Sequence, residues 1–263
     1  MDKIFFLGAG RMAAAIAAGL AKSLPACEVT AYDPAAAACD AFNRAIGSQA
    51  AVTTLPSESA DVVVLAVKPQ YLAEAVKPLA GSLKDKLIIS IVAGIPLARL
   101  AELTGAQRIV RVMPNTPALI GAGVSAYCAS KSTQPNDAAI AESIFGAVGT
   151  VLAVDERLLD AVTGVSGCGP AYVFDFIMGL MDGGIRKGLP ANVALKLAAE
   201  TVAGAAKMAA ECQIHPAELR QQVISPGGAT AVGCAELERN AFRSVVAEAV
   251  CKATERAEEL GKK

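Results

Sequence analysis

The sequence predicts an α/β fold, a doubly wound parallel sheet in the first part of the chain, followed by a smaller, all-helical domain. Three observations predict it. Short apolar runs alternate with helical segments up to about residue 154, the apolar runs lack polar alternation, and this rhythm stops after Asp155. With 263 residues the chain is long enough for one large domain or two medium ones.

The predicted strands and helices follow one another as β-α-β units. The strands are expected at residues 4–7, 29–32, 62–67, 87–91 and 108–112, and the helices at 12–23, 34–46, 71–79 and 97–103. Continuous runs of Val, Ile and Leu are typical of strands that are covered on both faces, as in parallel sheets. Runs at 124–128 and 151–154 flank a further helix at 136–148 and complete a first domain, residues 1–154.

Residues 155–263 are predicted to form helices that Gly and Pro interrupt. In the final stretch, apolar residues recur at spacings of three and four, which is typical of a helix that buries one face. They are Leu237, Phe242, Val245, Val246, Ala249, Val250 and Ala253. A small helical domain has little interior, so burial between subunits is expected, and burial in an internal core is the alternative.

Composition excludes several classes of protein. The 24 Lys and Arg nearly balance the 25 Asp and Glu, so nucleic acid and anionic membrane surfaces are not expected partners. The longest uncharged run, between Arg111 and Lys131, contains prolines and glycines that would break a membrane-spanning helix. The start of the chain lacks the basic segment of a secretion signal, which predicts a cytoplasmic protein.

The cysteines and the histidine of the sequence argue against a metal site and against thiol redox chemistry. Seven cysteines occur without a CxxC pair, which is typical of reduced, mostly buried thiols. A single histidine, His215, excludes a His-rich zinc site, and no metal is predicted. His215 stands at an expected helix start, where capping or exposure to solvent is favoured over proton transfer.

A glycine motif of the form GxGxxA directly follows the first strand and opens an Ala-rich helix. Gly8 permits the tight turn, Gly10 lets the main chain approach a pyrophosphate, and Ala13 allows close helix packing. The motif therefore predicts that a dinucleotide binds at Gly8, Ala9, Gly10, Arg11 and Met12. The alternative is a glycine turn without a ligand.

Asp33 closes the second predicted strand. Its carboxylate can accept hydrogen bonds from an adenosine ribose and would repel a 2′-phosphate, which favours NADH over NADPH. The alternative, which is compatible with the first role, is an N-cap for the helix entered at Pro34.

Three further segments carry candidate binding residues. Val67, Lys68 and Pro69 end a strand at the carboxyl edge of the sheet, where such folds bind ligands, although a solvated lysine beside a strand-ending proline is nearly as good an explanation. The loop 111–117 places Asn115 and a threonine between two prolines, which suits a nicotinamide or its substrate. The segment 225–230, SPGGAT, offers main-chain N–H groups and hydroxyls to a carboxylate, with an ordinary capping loop as the alternative.

Taken in order, GAGRMA, AVKP, RVMPNTP, SGCGPAY and SPGGAT resemble pyrroline-5-carboxylate reductase over nearly the whole chain. The resemblance implies a Rossmann-type domain, a helical dimerisation domain, and an active site between them. It further implies a homodimer that often assembles into a decamer, a pentamer of dimers. The implied reaction is hydride transfer from NAD(P)H, usually NADPH, to the cyclic imine of 1-pyrroline-5-carboxylate, which gives L-proline.

The resemblance also assigns roles to residues. Ser225, Gly228, Ala229 and Thr230 correspond to the substrate carboxylate loop, with the Thr230 hydroxyl near the ring nitrogen as the catalytic group. Met113, Pro114 and Asn115 correspond to the nicotinamide side, and Val67, Lys68 and Pro69 to the ribose and phosphates. Two departures stand out: Cys168 replaces a serine, and Asp33 is an acid that many NADPH-using members lack.

Two other functions remain as alternatives. A β-hydroxyacid dehydrogenase shares the glycine motif and the helical domain, but it needs a catalytic lysine after a glycine turn, and here no lysine occurs between Gly169 and Lys187. A nucleotide-sensing protein without turnover would leave the carboxylate loop without a purpose.

Overall fold

Short apolar strands form an eight-stranded sheet in the computed structural model, which describes residues 3–55 and 60–261. The strands are β1 (Lys3–Leu7), β2 (Glu28–Tyr32), β3 (Ala51–Val52), β4 (Val62–Leu65), β5 (Leu87–Ser90), β6 (Ile109–Met113), β7 (Gly123–Ala129) and β8 (Gly149–Ala153). Their order across the sheet is β3-β2-β1-β4-β5-β6-β7-β8. The order reverses beside β1, which creates the crevice at which doubly wound sheets bind ligands.

Helices cover both faces of the sheet. They are α1 (Arg11–Ser23), α2 (Ala36–Ile46), α3 (Leu72–Val76), α4 (Leu97–Thr104), α5 (Pro135–Gly146) and α6 (Leu159–Val162). Ile4 and Phe6 of β1 pack with α1, α2 and α5, whereas Phe5 and Leu7 pack with α3 and α4 on the other face. The predicted doubly wound architecture is therefore confirmed.

The sheet departs from the prediction at β7, which pairs antiparallel with β6. The connection between these strands contains only a short 3₁₀ turn, Thr116–Ile120, in its described residues. A parallel connection needs a crossover of a dozen or more residues, so this short loop requires an antiparallel pair. Strand β3 was not predicted, because two residues are too few to show a pattern.

The described chain divides into two compact units. The sheet unit comprises the residues up to Cys168 together with those from Lys252 onward, and the helical unit is Gly169–Cys251. Residues just beyond 154 belong to the sheet unit because Leu159 of α6 is buried against Ala126 and Cys128 of β7. The boundary between the two compact units therefore lies after Cys168, whereas the predicted domain boundary lies after residue 154.

The helical unit contains α7 (Gly169–Arg186), α8 (Ala191–Glu211), α9 (Pro216–Val223), α10 (Ala229–Arg239) and the first part of α11 (Phe242–Gly261). The apolar spacing from Leu237 to Ala253 predicted a single helix, and this was wrong because two helices cover these residues. Helix α10 ends at Arg239, with Asn240 as its C-cap residue, and Ala241 adopts a φ of 52°, a left-handed conformation that separates α10 from α11.

A buried carboxylate joins α5 to β6. Asp137 is fully buried, and its Oδ2 accepts hydrogen bonds from Arg108 Nε at 3.0 Å and from the Gln134 N–H at 2.9 Å. Arg108 also donates to the Asp137 Oδ1 atom. The hydrogen bonds from Arg108 hold the pKa of Asp137 below its usual value.

We expect Asp137→Asn to lower the free energy of unfolding by about 1–2 kcal/mol at neutral pH, because the charge-assisted bonds are lost while Arg108 stays partly solvated. The pKa of Asp137 is lower in the folded state than in the unfolded one, so this stabilisation is lost as the pH falls through the folded value. Urea unfolding of both proteins should show a difference that shrinks below about pH 4. Asp155→Asn, which changes an exposed ion pair, is the control. A difference that did not depend on pH would contradict the assignment.

Candidate active site

The glycine turn lies directly against the end of β4. Gly8 has a φ of 107°, and a Cβ atom there would lie 2.7 Å from the Ala66 carbonyl oxygen. At Gly10 a Cβ atom would meet open space, and within residues 3–55 and 60–261 no side chain caps the start of α1 at this residue. The turn is therefore closed toward the sheet and open toward solvent, with main-chain N–H groups available to an anion.

Asp33 is tied to this turn. Its Oδ2 accepts a hydrogen bond from the Ala9 N–H at 3.0 Å, and its Oδ1 accepts one from the Ala35 N–H at 2.9 Å. The N-cap residue of α2 is Ala35, so the alternative interpretation of Asp33 as the N-cap itself is wrong. The carboxylate instead stabilises a local turn and joins the end of β2 to the glycine motif.

The segment after β4 meets the same turn. A Cβ atom at Gly8 would lie 3.1 Å from Val67 Cγ1, which places this valine beside the glycine motif. Lys68 is exposed, and Pro69 opens a 3₁₀ turn, Pro69–Tyr71. The structure thus brings Gly8, Val67 and Asp33 together, whereas Lys68 contributes a solvated charge at their edge.

The loop after β6 is rigid. Pro114 and Asn115 are buried, and the Asn115 side chain bonds to main-chain groups at both of its ends. Met113 lies with its Cε atom against Gly167. Sequence reasoning placed this asparagine near a ligand and did not foresee its contacts within the chain, because they depend on residues far along the sequence.

A cluster of charged residues around Arg111 of β6 was not predicted from the sequence. Arg111 is buried and lies 3.5 Å from Glu156 and 3.6 Å from Asp160. Glu156 also accepts a hydrogen bond from the Leu97 N–H at 2.7 Å, at the start of α4. A charge within an apolar strand was the available signal, since a buried arginine requires partners.

The SPGGAT segment lies within the helical unit, between α9 and α10. Gly227 has a φ of 69°, and Gly228 is the N-cap residue of α10. A Cβ atom at Gly228 would lie 2.2 Å from Ser225 Oγ, so the hydroxyl occupies the space that the glycine leaves. Thr230 follows in the first turn of α10 and is half-buried. The segment therefore combines two hydroxyls with the open N-terminus of a helix.

The remaining polar candidates lie outside these segments. His215 Nδ1 accepts a hydrogen bond from the Ala217 N–H at 3.2 Å and so caps α9, as the sequence favoured. The expectation of mostly buried cysteines was wrong for Cys212, the C-cap residue of α8, and for Cys251 in α11, which are both exposed. Burial raises the pKa of the Cys128 thiol to about 11, so this cysteine remains protonated. Within the described residues no cluster of His, Cys, Asp and Glu has the arrangement of a metal site.

Comparison with known proteins decides the family. Residues 156–260 match the family model described as pyrroline-5-carboxylate reductase dimerisation, and residues 3–94 match that of NADP oxidoreductase, coenzyme F420-dependent. The chain is 45% identical to the pyrroline-5-carboxylate reductase of Synechocystis over 98% of this chain and 97% of the relative. The chain belongs to the pyrroline-5-carboxylate reductase family. The reductase of Escherichia coli is 39% identical over 99% of this chain and 98% of its own length.

Solved structures of the family share the fold. The pyrroline-5-carboxylate reductase of Coxiella burnetii gives a TM-score of 0.90 at 33% identity, over 100% of this chain and 99% of that one. That of Plasmodium falciparum, which has NADP bound, gives 0.83 at 34% identity, over 98% and 99%. The resemblance that the five motifs indicated is confirmed, and the family replaces the β-hydroxyacid dehydrogenase alternative.

Proposed function

We propose that this chain reduces the cyclic imine of 1-pyrroline-5-carboxylate to L-proline with NAD(P)H. The observation that carries the proposal is the similarity over almost the full chain to curated reductases of that name, which extends across both the glycine turn and the SPGGAT segment. A nucleotide-sensing role would explain only the first of these two segments.

The sheet unit fits a dinucleotide. The turn at Gly8 leaves no room for a side chain, and the open space at Gly10 lets a pyrophosphate reach the N–H groups that begin α1. We assign the phosphates to residues 8–12, the adjoining ribose and phosphates to Val67, Lys68 and Pro69, and the nicotinamide to the loop at Met113, Pro114 and Asn115. When bound, the reduced nicotinamide supplies the hydride that the imine carbon C5 receives.

The helical unit carries the residues proposed for the substrate. Ser225 and Ala229 offer a hydroxyl and a main-chain N–H group to the carboxylate, and the Gly228 N–H donates to the Ser225 carbonyl at 3.0 Å and holds the loop. The positive end of α10 favours the charge of the carboxylate. The Thr230 hydroxyl is proposed to bond the ring nitrogen. A protonated imine is already a good hydride acceptor, so the chain contributes mainly by holding the ring in one orientation.

Two observations favour different cofactors, one NADPH and the other NADH. The Plasmodium relative has NADP bound, whereas Asp33 is an acid at the end of β2 beside the glycine turn, a position at which such folds bind the adenosine ribose. We propose that both cofactors are accepted and that Asp33 shifts the preference toward NADH.

We infer that the chain works as a homodimer, with the pentamer of dimers as the larger assembly. Large apolar side chains on the helical unit are exposed in the single chain, among them Phe174, Met178, Leu195, Leu197, Val232 and Val245. Such surface is expected to be buried between subunits. The helical stretch Glu156–Arg186 is long and apolar enough to span a membrane by length and composition alone, but it lies within the region that matches the dimerisation family. We therefore assign this apolar surface to subunit contact and propose a cytoplasmic enzyme with neither membrane nor nucleic acid as partner.

The direct test is oxidation of NADH and of NADPH by the purified protein in the presence of 1-pyrroline-5-carboxylate, followed by absorbance, with proline identified as the product. Turnover with at least one of the two cofactors is expected. Absence of turnover with both would refute the proposed reaction.

Thr230→Val should lower kcat/KM for the imine roughly 10- to 100-fold, because a hydrogen bond with a charged partner contributes about 1.5–3 kcal/mol. The affinity for NAD(P)H, measured by fluorescence titration, should barely change. Thr230→Ser keeps the hydroxyl and should retain most activity, and Thr201→Val, at an exposed position of α8, is the control. Equal kcat/KM for the Val variant and the wild type would show that Thr230 is structural.

Asp33→Asn keeps an acceptor for the Ala9 N–H and removes the charge. We expect the ratio of kcat/KM for NADPH to that for NADH to rise by about tenfold or more, since a like-charge contact costs several kcal/mol. Asp40→Asn, which makes the same change at an exposed position of α2, should leave the ratio unaltered. An unchanged ratio in the Asp33 variant would mean that its carboxylate only holds the glycine turn.

Val246→Asp places a charge among the apolar residues of α11, where Val245 and Val246 are exposed in the single chain. If this surface is shared between subunits, light scattering should show at least a dimer for the wild type and dissociation or unfolding for the variant. Ser244→Asp introduces the same charge on the same helix at an exposed polar position and should remain assembled. A folded, active monomer of the wild type would contradict the proposed assembly.

A further inference from the structure

The SGCGPAY motif, residues 166–172, has no role in the reaction as proposed, yet its first residues form an unusual element. Thr163–Gly167 is a single π-helical turn between α6 and α7, closed by a hydrogen bond from the Cys168 N–H to the Thr163 carbonyl at 2.8 Å. Such turns carry a wider, less stable hydrogen-bond pattern than the α-helix and are frequent at functional sites. The side chains that contact this turn can therefore indicate its role.

Asn115 provides the first contact. Its side chain is buried, with 8% of the residue exposed. Its Oδ1 atom accepts a hydrogen bond from the Val124 N–H at 2.9 Å, and its Nδ2 atom donates to the Ser166 carbonyl at 3.1 Å. One end of the amide closes the loop between β6 and β7, and the other end joins that loop to the π-helical turn.

Gly167 provides a second, independent contact. A Cβ atom at this position would lie 2.7 Å from the Met113 Cε atom, so the end of the methionine occupies the space that the glycine leaves. The π-helical turn thus contacts the β6 loop at Met113 and at Asn115, through van der Waals packing at the first and a hydrogen bond at the second. Both contacts lie within the sheet unit.

We propose that Asn115 and Gly167 are positioning residues that lock the Met113–Pro114 loop against the π-helical turn, and that this lock orients the nicotinamide for hydride transfer. The inference rests on the proposed function, and it changes the part that Asn115 plays there. Its amide acts through the main chain of its neighbours, and the lock affects the rate of the chemical step more than the affinity for the cofactor. The affinity is expected to come chiefly from the phosphate contacts at the glycine turn.

Asn115→Asp is the sharpest variant, because it has nearly the same shape and keeps an acceptor for the Val124 N–H. It replaces the donor to Ser166 by an oxygen that repels the carbonyl. The chain offers a matched control in Asn43, which also has 8% of its residue exposed and also bonds main-chain groups at both ends, at Ala50 and Ala51. Asn43→Asp makes the same chemical change in a residue without a proposed role in the reaction.

Four measurements test the lock in the full-length protein. With saturating substrates, kcat of Asn115→Asp should fall by about tenfold or more, and its Kd for NAD(P)H should stay within about threefold of the wild type. The primary isotope effect with deuterated NAD(P)H should rise as hydride transfer becomes slower than product release. Without cofactor, hydrogen exchange of residues 163–168 should be faster than in the wild type. Asn43→Asp should lower stability while leaving kcat and the exchange of 163–168 near the wild-type values.

Gly167→Ala tests the contact between the π-helical turn and Met113, and it replaces Asn115→Asp as the test variant if Asn115→Asp does not fold. The added methyl group displaces only the flexible end of Met113, so the variant should fold and show the same pattern of lower kcat and nearly unchanged Kd. The two substitutions combined should cost less than the product of their separate effects, because they break one shared contact.

Other outcomes would overturn the inference. A Kd that rises as much as kcat falls would identify Asn115 as a direct cofactor contact. Unchanged kcat in folded variants, or an equal loss of kcat in Asn43→Asp, would also refute the lock. Hydrogen exchange keeps this test separate from the proposed function. If the wild type were inactive with both cofactors, the reaction would be refuted, and unchanged exchange at 163–168 in Asn115→Asp would refute the lock as well.

Discussion

The contact between the Gly8 turn and the Ala66 carbonyl is the constraint on which the arrangement of the sheet unit depends. It joins the ends of β1 and β4, the two strands beside which the strand order reverses. Because no side chain fits between them, the glycine turn packs directly against the end of β4, and the start of α1 is open toward solvent. Asp33 then bonds Ala9 from the end of β2, so three strand ends meet around one turn.

The groups proposed for binding are mostly main-chain N–H groups and hydroxyls, which do not titrate in the physiological range. They include the start of α1, the start of α10, Ser225 and Thr230. The single histidine caps α9, and Cys128 is held in its thiol form by burial. Such a set can orient reactants and stabilise charge without proton transfer by an imidazole or a thiolate. Reduction of a protonated imine needs orientation above all, so the composition of the site agrees with the reaction proposed for it.

The parts of the fold that the sequence predicted are those encoded by neighbouring residues. A few neighbouring residues are enough to identify each run of Val and Ile, the glycine turn and the capping histidine. The antiparallel direction of β7 depends on the length of the loop before it, and the break at Ala241 depends on one left-handed residue. The hydrogen bond of Asn115 depends on a partner fifty-one positions away. Asn43 and Asn115 are equally buried, and the side chain of each bonds main-chain groups at both ends, so their burial and bonding do not show which of them lies near a ligand. Residue type therefore indicated candidate binding positions, whereas the contacts that hold those residues appeared only with the tertiary structure.

The stability of the helical unit is linked to the proposed chemistry. Of the residues in α7, α8, α9 and α10 that the structure describes, only Ala194 and Ala198 are buried in the single chain. Two alanines bury too little apolar area to offset the conformational entropy of four helices. In the proposed assembly, subunit association provides the missing burial, and the stability of the unit depends on protein concentration. Because the SPGGAT segment lies beside two of these helices, the geometry of the proposed carboxylate loop would depend on the same association, and a separate monomer would lose order at the loop before it lost the glycine turn.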